Sequence, residues 1–489
     1  MKEESLLLLS DLQKLINQVV LIDYTIIILG GSNMKADLIV QNARIVAQTG
    51  VFVGWLAVQD GRIAALGEGP APGPAKTVLD GTGQVLLPGA IDTHPHFFDP
   101  GAEWREDLRC GTQAAASGGY TTILDMPNTS PPVKDEATWQ LKAGRAQQNS
   151  LIDFALWGSA MPSNLDELGR LAELGCVGYK AFTLDAGPDF DWSDEYGQLR
   201  EMQAVAALGG IFGAHAENPA LVNGFSGAHA GEEWSLAVHD ASRPWQAELT
   251  AINTLLLYAR LTGCRLHICH LSIPEGAALI AQAKKQGVDV TAETCAHYLT
   301  LNYEDNAALG AFAKINPPLR SRARMEKLWE YVMDGGIDYL GTDHAPYLEE
   351  EKLPPEGGRA AACGAPEIDL AIPLLFEEGV LDRGMDLQRF AAFTSTNAAR
   401  RFGLYPRKGT LAVGADADFI LLDPNSPWTF SRKNSFSKSK AARFGHEGRT
   451  LRCRVTLTCL RGVPVYANGR ILQQPGFGRL VRPQGGDRP

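Results

Sequence analysis

The sequence predicts an α/β protein whose core is a (β/α)8 TIM barrel, together with a small β-sandwich built from N- and C-terminal segments. Three observations support this prediction. Eight short apolar runs alternate with helix-length stretches between residues 89 and 346. Polar residues follow most of these runs at their carboxyl ends, which is where such barrels carry their chemistry. Segments with alternating apolar residues and Gly/Asp turns occur at both ends of the chain.

The eight runs are the predicted barrel strands, since alternation of strands and helices indicates a parallel sheet. They lie at 89–97, 121–129, 153–160, 176–183, 209–217, 265–272, 289–299 and 338–346. Eight such units match a closed barrel in length. The alternative is an open doubly wound sheet, but no G-x-G-x-x-G follows the first run.

The two β-rich ends share the same pattern of alternating apolar residues and Gly/Asp turns. We expect them to form one sandwich rather than two unrelated β arms. Strand patterns fill residues 36–87 and return in 409–423 and 454–472. The chain is thus predicted to contain four parts. They are a 1–33 extension, a 34–87 and 403–475 sandwich, an 88–402 barrel and a 476–489 tail.

Composition narrows the class of protein. A net charge of −11 over 489 residues argues against nucleic acid and anionic membrane surfaces as partners. The apolar stretch 19–31 contains Asp23 and is too short to span a bilayer, so no membrane association is expected. The eight cysteines form no C-x-x-C pair, which indicates reduced thiols and a cytoplasmic protein.

The first run ends in a group of residues suited to a metal ion. In an extended strand Asp92, His94 and His96 share one face, because side chains alternate between faces. Two imidazoles one pleat apart can chelate a single transition-metal ion. The alternative is a pair of exposed loop histidines.

Other polar residues end later runs. His215, His270 and Asp343 end the fifth, sixth and eighth runs, although each alone could be a structural residue. Lys180 lies inside an apolar run, and an unpaired buried ammonium tends to lose its charge. A neutral amine can react with carbon dioxide to give a carbamate that bridges two cations; the alternative is a lysine that extends to solvent. Alternation predicts that Cys269 faces away from these ligands.

The order H-x-H, Lys, His, His, Asp resembles the binuclear amidohydrolase superfamily. The similar families are the cyclic amidohydrolases dihydroorotase, allantoinase and hydantoinase/dihydropyrimidinase, and the resemblance covers residues 36–475. It implies two divalent ions, with zinc as the default and manganese or cobalt as alternatives. It also implies a homo-oligomer, either a dimer or a tetramer, that acts on a small cyclic amide.

The same resemblance assigns roles to six residues. It implies that His94, His96 and Asp343 hold the first ion and that His215 and His270 hold the second. Lys180, as the carbamate, would bridge both. A hydroxide between the ions would be the nucleophile, because metal binding lowers the pKa of water towards 7. Asp343 would act as the general base and then as the general acid.

The substrate is less clearly indicated by the motifs. The segments PNT, KINPPLR and TDHAP resemble dihydroorotase and make Asn128 and Asn316 candidate substrate contacts. His344 is a further candidate because it lies beside Asp343. Two departures concern the substrate carboxylate, because Phe98 and Tyr347 stand where that family usually has Arg and His. Both positions remain candidate substrate contacts, for a ring without that carboxylate or with one held differently.

Three ring-opening activities are therefore ranked. Dihydroorotase-like activity comes first, allantoinase second on the segment 263–280 and on Glu103-Trp104, and hydantoinase third because no tyrosine shortly follows Lys180. A hypothesis of another class is a metal-free relative that acts as a scaffold. Such relatives typically lack metal ligands, and here none of the six positions is missing.

Overall fold

The computed structural model describes residues 36–187, 190–439 and 445–483. The extension predicted for residues 1–33 lies outside the described residues, as does the end of the chain after residue 483. Each of the eight predicted runs contains a strand. These strands are Ala90–Asp92, Tyr120–Asp125, Asp153–Leu156 with Gly158–Ser159, Tyr179–Phe182, Ile211–His215, Arg265–Ile268, Val290–Thr294 and Tyr339–Leu340.

The barrel forms from parallel ladders between consecutive strands. The third strand is divided at Trp157. Its first part pairs with the second strand and its second part pairs with the fourth strand, so the ladders of strands one to three and three to eight are continuous around the barrel. The first and eighth strands meet through a parallel bridge between Pro95 and His344. Asp92 also accepts hydrogen bonds from the Thr342 amide at 3.0 Å and hydroxyl at 2.5 Å. The predicted TIM barrel is therefore confirmed.

Helices cover the outside of the barrel, so its strands are buried on both faces and read as apolar runs. The α-helices that connect or flank the strands are Leu108–Gly118, Glu136–Asn149, Leu168–Leu174, Glu195–Ala207, Pro219–Ala228, Leu236–Ser242, Trp245–Thr262, Pro274–Lys285, Ala296–Thr300, Arg322–Asp334, Glu349–Lys352, Ala371–Leu375, Leu387–Ala391 and Asn397–Arg401. Shorter helical turns are Ala307–Ala313, Phe376–Asp382, Ala392–Thr396 and Arg432–Asn434. None of the described helices is both long and apolar enough to cross a bilayer.

The second structural unit is a β-sheet built from both ends of the chain, as predicted. Its strands are Ala36–Ala47, Gly50–Gln59, Arg62–Glu68, Ala75–Asp80, Val85–Pro88, Phe419–Asp423, Arg454–Leu460, Val463–Ala467 and Arg470–Ile471. Hydrogen bonds connect them into one continuous nine-stranded sheet, in which Val85–Pro88 pairs with both Ala36–Ala47 and Phe419–Asp423. Side chains from both arms, such as Leu56 and Phe419, share one apolar core.

A buried ion network connects this sheet to the barrel. The Lys408 ammonium lies 2.5 Å from carboxylate oxygens of both Asp153 and Asp418 and 3.2 Å from Asp416. Asp153 begins the third barrel strand, whereas Asp416 and Asp418 precede a strand of the sheet. Burial alone would lower the pKa of Lys408, but these carboxylates hold it above its usual value.

Residues 479–481 pair alongside the third barrel strand. The Phe154 amide donates to the Arg479 carbonyl at 3.0 Å, and the Val481 amide donates to the Phe154 carbonyl at 2.8 Å. Residues from 476 onward were predicted to form a tail, but those up to 482 pack on the barrel. The apolar pair Leu480 and Val481 is too short to give a strand pattern, which is why the sequence did not reveal this pairing.

Candidate metal centre

The carboxyl ends of the barrel strands surround a cavity of about 690 Å³. All six residues predicted to hold metal ions line it. They are His94, His96, Lys180, His215, His270 and Asp343. Five barrel strands contribute these residues, because the strands run parallel and their carboxyl ends meet at one rim.

Three of these residues form the first compact group. The Oδ1 atom of Asp343 lies 3.2 Å from Nε2 of His96 and 3.7 Å from Nε2 of His94. Their candidate ligand atoms all lie within 4.8 Å of one another. The first barrel strand ends at Asp92, and the two histidines follow it with one residue between them. Two imidazole nitrogens and one carboxylate oxygen are ligands that suit a transition-metal ion.

The second group lies beside the first. His215 Nδ1 is 3.0 Å from His270 Nε2, and the Lys180 amine is 3.4 Å from His94 Nε2. The His94 and His270 ring centroids are 5.2 Å apart. Lys180 is 1% exposed. The four imidazoles, the lysine and the aspartate therefore form one continuous cluster of potential ligands.

Burial favours the neutral form of three of these imidazoles. Burial, with a smaller effect of the nearby Lys180 ammonium, lowers the pKa of His94 to about 4. Burial also lowers the pKa of His215 and holds that of His270 well below its usual value. Neutral imidazoles present nitrogen lone pairs to the cavity, which is the form that binds metal ions. The residues present thus fit a pair of divalent ions.

Two glutamates that the sequence analysis did not identify orient the histidines. Glu293 contacts Nδ1 of His94 and lies 3.3 Å from Nε2 of His267. Glu217 lies 2.7 Å from Nε2 of His215. Burial alone would raise the pKa of both carboxyls, but their cationic and imidazole neighbours hold both values below the usual range. A carboxylate on the outer nitrogen fixes the tautomer of a metal-binding histidine.

Both glutamates have a sequence feature that could have identified them. Glu217 follows His215 by two residues, and Glu293 lies inside an apolar strand where a charged residue needs a partner. Glu217 is also held in a two-point ion pair, with Arg243 Nη2 at 2.5 Å and Nε at 3.1 Å. Arg243 lines the cavity and was likewise not predicted.

Two of the candidate ligands have unusual backbone angles. His270 has a φ of 36° and Asp343 has a φ of 47°. Both values lie in the left-handed region, which residues other than glycine rarely adopt. Strained conformations of this kind cluster at functional sites. The prediction that Cys269 faces away from the candidate ligands is wrong. Its strand ends at Ile268, so alternation no longer applies, and its sulfur lies within 4.8 Å of ligand atoms of His94 and Glu293.

The predicted substrate contacts fall into two sets. Asn128, Asn316, Phe98 and Tyr347 line the cavity. His344 does not line it. Its ring is fully buried, its Nδ1 accepts a hydrogen bond from the Ile368 amide at 3.3 Å, and it packs 5.7 Å from Phe97. This placement corrects the prediction for His344, because its side chain lies behind the wall of the cavity.

The two asparagines offer polar atoms to a ligand. Asn128 Oδ1 is buried and has no hydrogen-bond partner among the described residues. Asn316 Oδ1 lies 3.1 Å from Nε2 of His239, so among the described residues the Asn316 amide nitrogen remains available as a donor to another group. His239 is therefore a further residue that the sequence did not identify. It fixes the orientation of an amide at the cavity wall.

Comparison with known proteins agrees with this geometry. The sequence profile described as "Amidohydrolase family" matches residues 85–443, which include all six candidate ligands. The chain belongs to the amidohydrolase family. An allantoinase from Rubrobacter xylanophilus is 39% identical over 451 residues, which is 92% of this chain and 98% of that protein. An allantoinase from Escherichia coli O1:K1 / APEC is 38% identical and covers 88% of this chain and 96% of that protein.

Solved structures support the same assignment. This amidohydrolase matches an L-hydantoinase (dihydropyrimidinase) from Arthrobacter aurescens with a TM-score of 0.88 and 33% identity, over 91% of this chain and 100% of that chain. It matches a dihydropyrimidinase from Brevibacillus agri with a TM-score of 0.83 and 28% identity, over 92% of this chain and 99% of that chain. The chain is thus a hydrolase of cyclic amides. The ranking of dihydroorotase above allantoinase is corrected, since the similar proteins favour allantoinase.

Proposed function

We propose that this amidohydrolase opens the ring of allantoin, a hydantoin that carries a ureido substituent. One feature of the cavity lining favours a substrate ring that carries no carboxylate. Phe98 and Tyr347 form an aromatic wall with ring centroids 5.3 Å apart. These are the positions where dihydroorotase has Arg and His for its substrate carboxylate. The similarity to allantoinases agrees with this assignment.

The ligands for two divalent ions are the six predicted residues, and we propose zinc as the ion. His94, His96 and Asp343 would hold one ion, and His215 and His270 would hold the other. Lys180 would bridge both as a carbamate, which explains a lysine that is 1% exposed beside an imidazole. When bound, such ions lower the pKa of water and polarise the amide carbonyl.

Asp343 moves the proton in this proposal. Its Oδ1 lies 3.2 Å from His96 Nε2, and it lines the cavity in which the scissile amide would lie. As a general base it would take a proton from the attacking water, and as a general acid it would deliver that proton to the leaving ring nitrogen. Hydrolysis of this C–N bond places the hydroxyl of water on the carbonyl carbon and its proton on the leaving nitrogen. The product has a carboxylate at one end of the opened ring and a ureido group at the other.

The cavity wall would orient the ring. Asn128 offers a buried carbonyl oxygen for a ring N–H, and the amide nitrogen of Asn316 offers a donor for a ring carbonyl. Such groups select a substrate with matching donors and acceptors, because a mismatched ring would leave buried polar atoms unpaired.

A substrate panel tests the proposal. The purified zinc enzyme should be assayed with allantoin, hydantoin, dihydrouracil and dihydroorotate, and kcat/KM for allantoin should exceed that for dihydroorotate by about 100-fold or more. Fastest turnover of dihydroorotate would contradict the proposal. Fastest turnover of an unsubstituted hydantoin would favour hydantoinase, a second candidate supported by the likeness to solved hydantoinases.

Metal analysis separates the enzyme from a scaffold relative. Two ions per chain are expected for the enzyme and none for the scaffold. Replacement of Asp343 with Asn should lower kcat about 10²- to 10⁴-fold, which is the usual contribution of general acid–base catalysis. The predicted cytoplasmic location and the predicted dimer or tetramer remain predictions, and light scattering of the purified protein tests the second.

A further inference from the structure

One corner of the cavity contains a cation that no motif predicted. The Arg105 guanidinium lies 5.2 Å from the Phe98 ring centroid and 5.0 Å from the Tyr347 ring centroid, within cation–π distance. The Trp104 ring lies 5.9 Å away. All four side chains line the cavity. A positive group thus lies against the two aromatic rings that replace the Arg and His of dihydroorotase, although it comes from another position in the chain.

The charge of this guanidinium is already balanced. Arg105 Nε and Nη2 both lie 2.6 Å from Oε1 of Glu351. The other oxygen of Glu351 accepts a hydrogen bond from the Leu348 amide at 2.9 Å, so the carboxylate is itself held in place. A guanidinium has five N–H donors, and its contacts with one carboxylate oxygen leave other donors for a ligand.

The loops that carry this pair are fixed from both sides. Lys438 donates to the Glu103 carbonyl at 2.6 Å and lies 2.5 Å from Asp107 Oδ2, and these two residues flank Arg105. In the loop after the eighth barrel strand, the fully buried Lys352 donates to three backbone carbonyl oxygens. A guanidinium held on two anchored loops loses little freedom when a ligand binds, which favours selectivity.

We propose that Arg105 determines substrate specificity by donating a hydrogen bond to a neutral oxygen acceptor on the exocyclic substituent of the ring. This inference rests on the proposed function, and the carbonyl of a ureido substituent is an acceptor of this class. A carboxylate at the same place would lie beside Glu351, and the repulsion between the two anions would weaken its binding. The Phe98 and Tyr347 rings supply flat apolar surfaces against which a planar substituent can pack.

The experiment compares rings with and without the substituent. Arg105→Gln should lower kcat/KM for allantoin about 10- to 100-fold, the usual loss for a hydrogen bond to a charged group. The same variant should lower kcat/KM for unsubstituted hydantoin less than about 3-fold. Arg105→Lys keeps the charge but lacks the planar fork, so an intermediate loss is expected.

Arg145→Gln is the matched control. Arg145 pairs at 3.0 Å with Glu103, which lies in the same loop as Arg105. The Arg145 side chain is 44% exposed and does not line the cavity. It should leave the ratio of the two substrates unchanged. Glu351→Gln should raise turnover of hydantoin-5-acetate relative to allantoin, because the guanidinium charge is then no longer balanced. Thermal melts should show that each variant is folded.

The outcomes distinguish this inference from the proposed function. Equal losses of Arg105→Gln on hydantoin and allantoin would overturn the inference, and so would a wild-type preference for hydantoin-5-acetate over allantoin. A wild-type enzyme inactive on allantoin but active on 5-(carbamoylmethyl)hydantoin would overturn the proposed function. If that activity fell selectively in Arg105→Gln, the role of Arg105 would still be supported.

Discussion

The Nε2 atom of His215 lies 2.7 Å from Oε2 of Glu217, and this contact decides which imidazole nitrogen meets the cavity. Nδ1 of His215 therefore faces Nε2 of His270 at 3.0 Å. His94 has the opposite arrangement, because Glu293 contacts its Nδ1 and leaves Nε2 for the cavity. His94 and His215 thus present different imidazole nitrogens to the cavity, and each nitrogen is selected by its own buried carboxylate.

Replacement of Glu293 with Gln should weaken metal binding. The amide cannot supply the negative charge that orients His94, so the affinity for zinc should fall about 10- to 100-fold. A competition titration against a chelator measures this affinity directly. Glu330→Gln, at a surface ion pair with Lys327, is the control and should bind zinc like the wild type. Wild-type affinity in Glu293→Gln would contradict an orienting role.

Replacement of Lys180 with Ala should abolish activity that a small carboxylic acid can restore. Added acetate or propionate can enter the space of the missing side chain and supply a carboxylate in place of the proposed carbamate. Activity should therefore rise with acid concentration in Lys180→Ala and stay flat in the wild type. Asp343→Asn provides a second comparison and should not be rescued. Full activity of Lys180→Ala without added acid would rule out the bridge.

Glu201 should make stability depend on pH. Burial raises the pKa of Glu201 to about 7, and this net value already includes the opposing effect of a hydrogen bond from Ser193. A carboxyl with a raised folded pKa stabilises the protein below its unfolded pKa and loses this contribution as pH rises through about 7. Between pH 5 and 8 the contribution should fall by roughly 2 to 3 kcal/mol.

Glu201→Gln should remove this part of the pH dependence, because an amide does not titrate. Urea unfolding at pH 5 and at pH 8 measures the difference. Glu195→Gln, at an exposed position of the same helix, should leave the slope as it is in the wild type. An unchanged slope in Glu201→Gln would show that Glu201 is ionised throughout this range.

Replacement of Lys408 with Met should destabilise the junction between sheet and barrel. Asp153, Asp416 and Asp418 would remain buried without the ammonium that they share. Loss of one partner of a buried ion pair costs about 3 to 5 kcal/mol, so the unfolding free energy should fall by that amount. Lys327→Met at the surface should change it by less than about 1 kcal/mol. A loss that small for Lys408→Met would contradict the role of this network.

The sequence predicted the barrel because its strands are buried on both faces and its polar residues end those strands. The meeting of the candidate ligands in one cavity was predictable for the same reason, since His94, His215 and Asp343 each lie at the end of an apolar run. Contacts between distant segments were not predictable. The approach of Glu293 to His94 and of Arg105 to Tyr347 depends on which loops meet across the barrel mouth, and no local pattern encodes this. His344 was misassigned because adjacency to Asp343 says nothing about the direction of its side chain.

The sheet that joins both ends of the chain also has a consequence for biosynthesis. Val85–Pro88 pairs with Phe419–Asp423, which the ribosome makes only after the whole barrel. The apolar edge of the earlier arm must therefore stay unpaired while the nascent chain grows. Exposed strand edges of this kind invite intermolecular pairing. Soluble yield should accordingly respond to chaperone supply and to expression temperature more strongly than the stability of the finished protein would suggest.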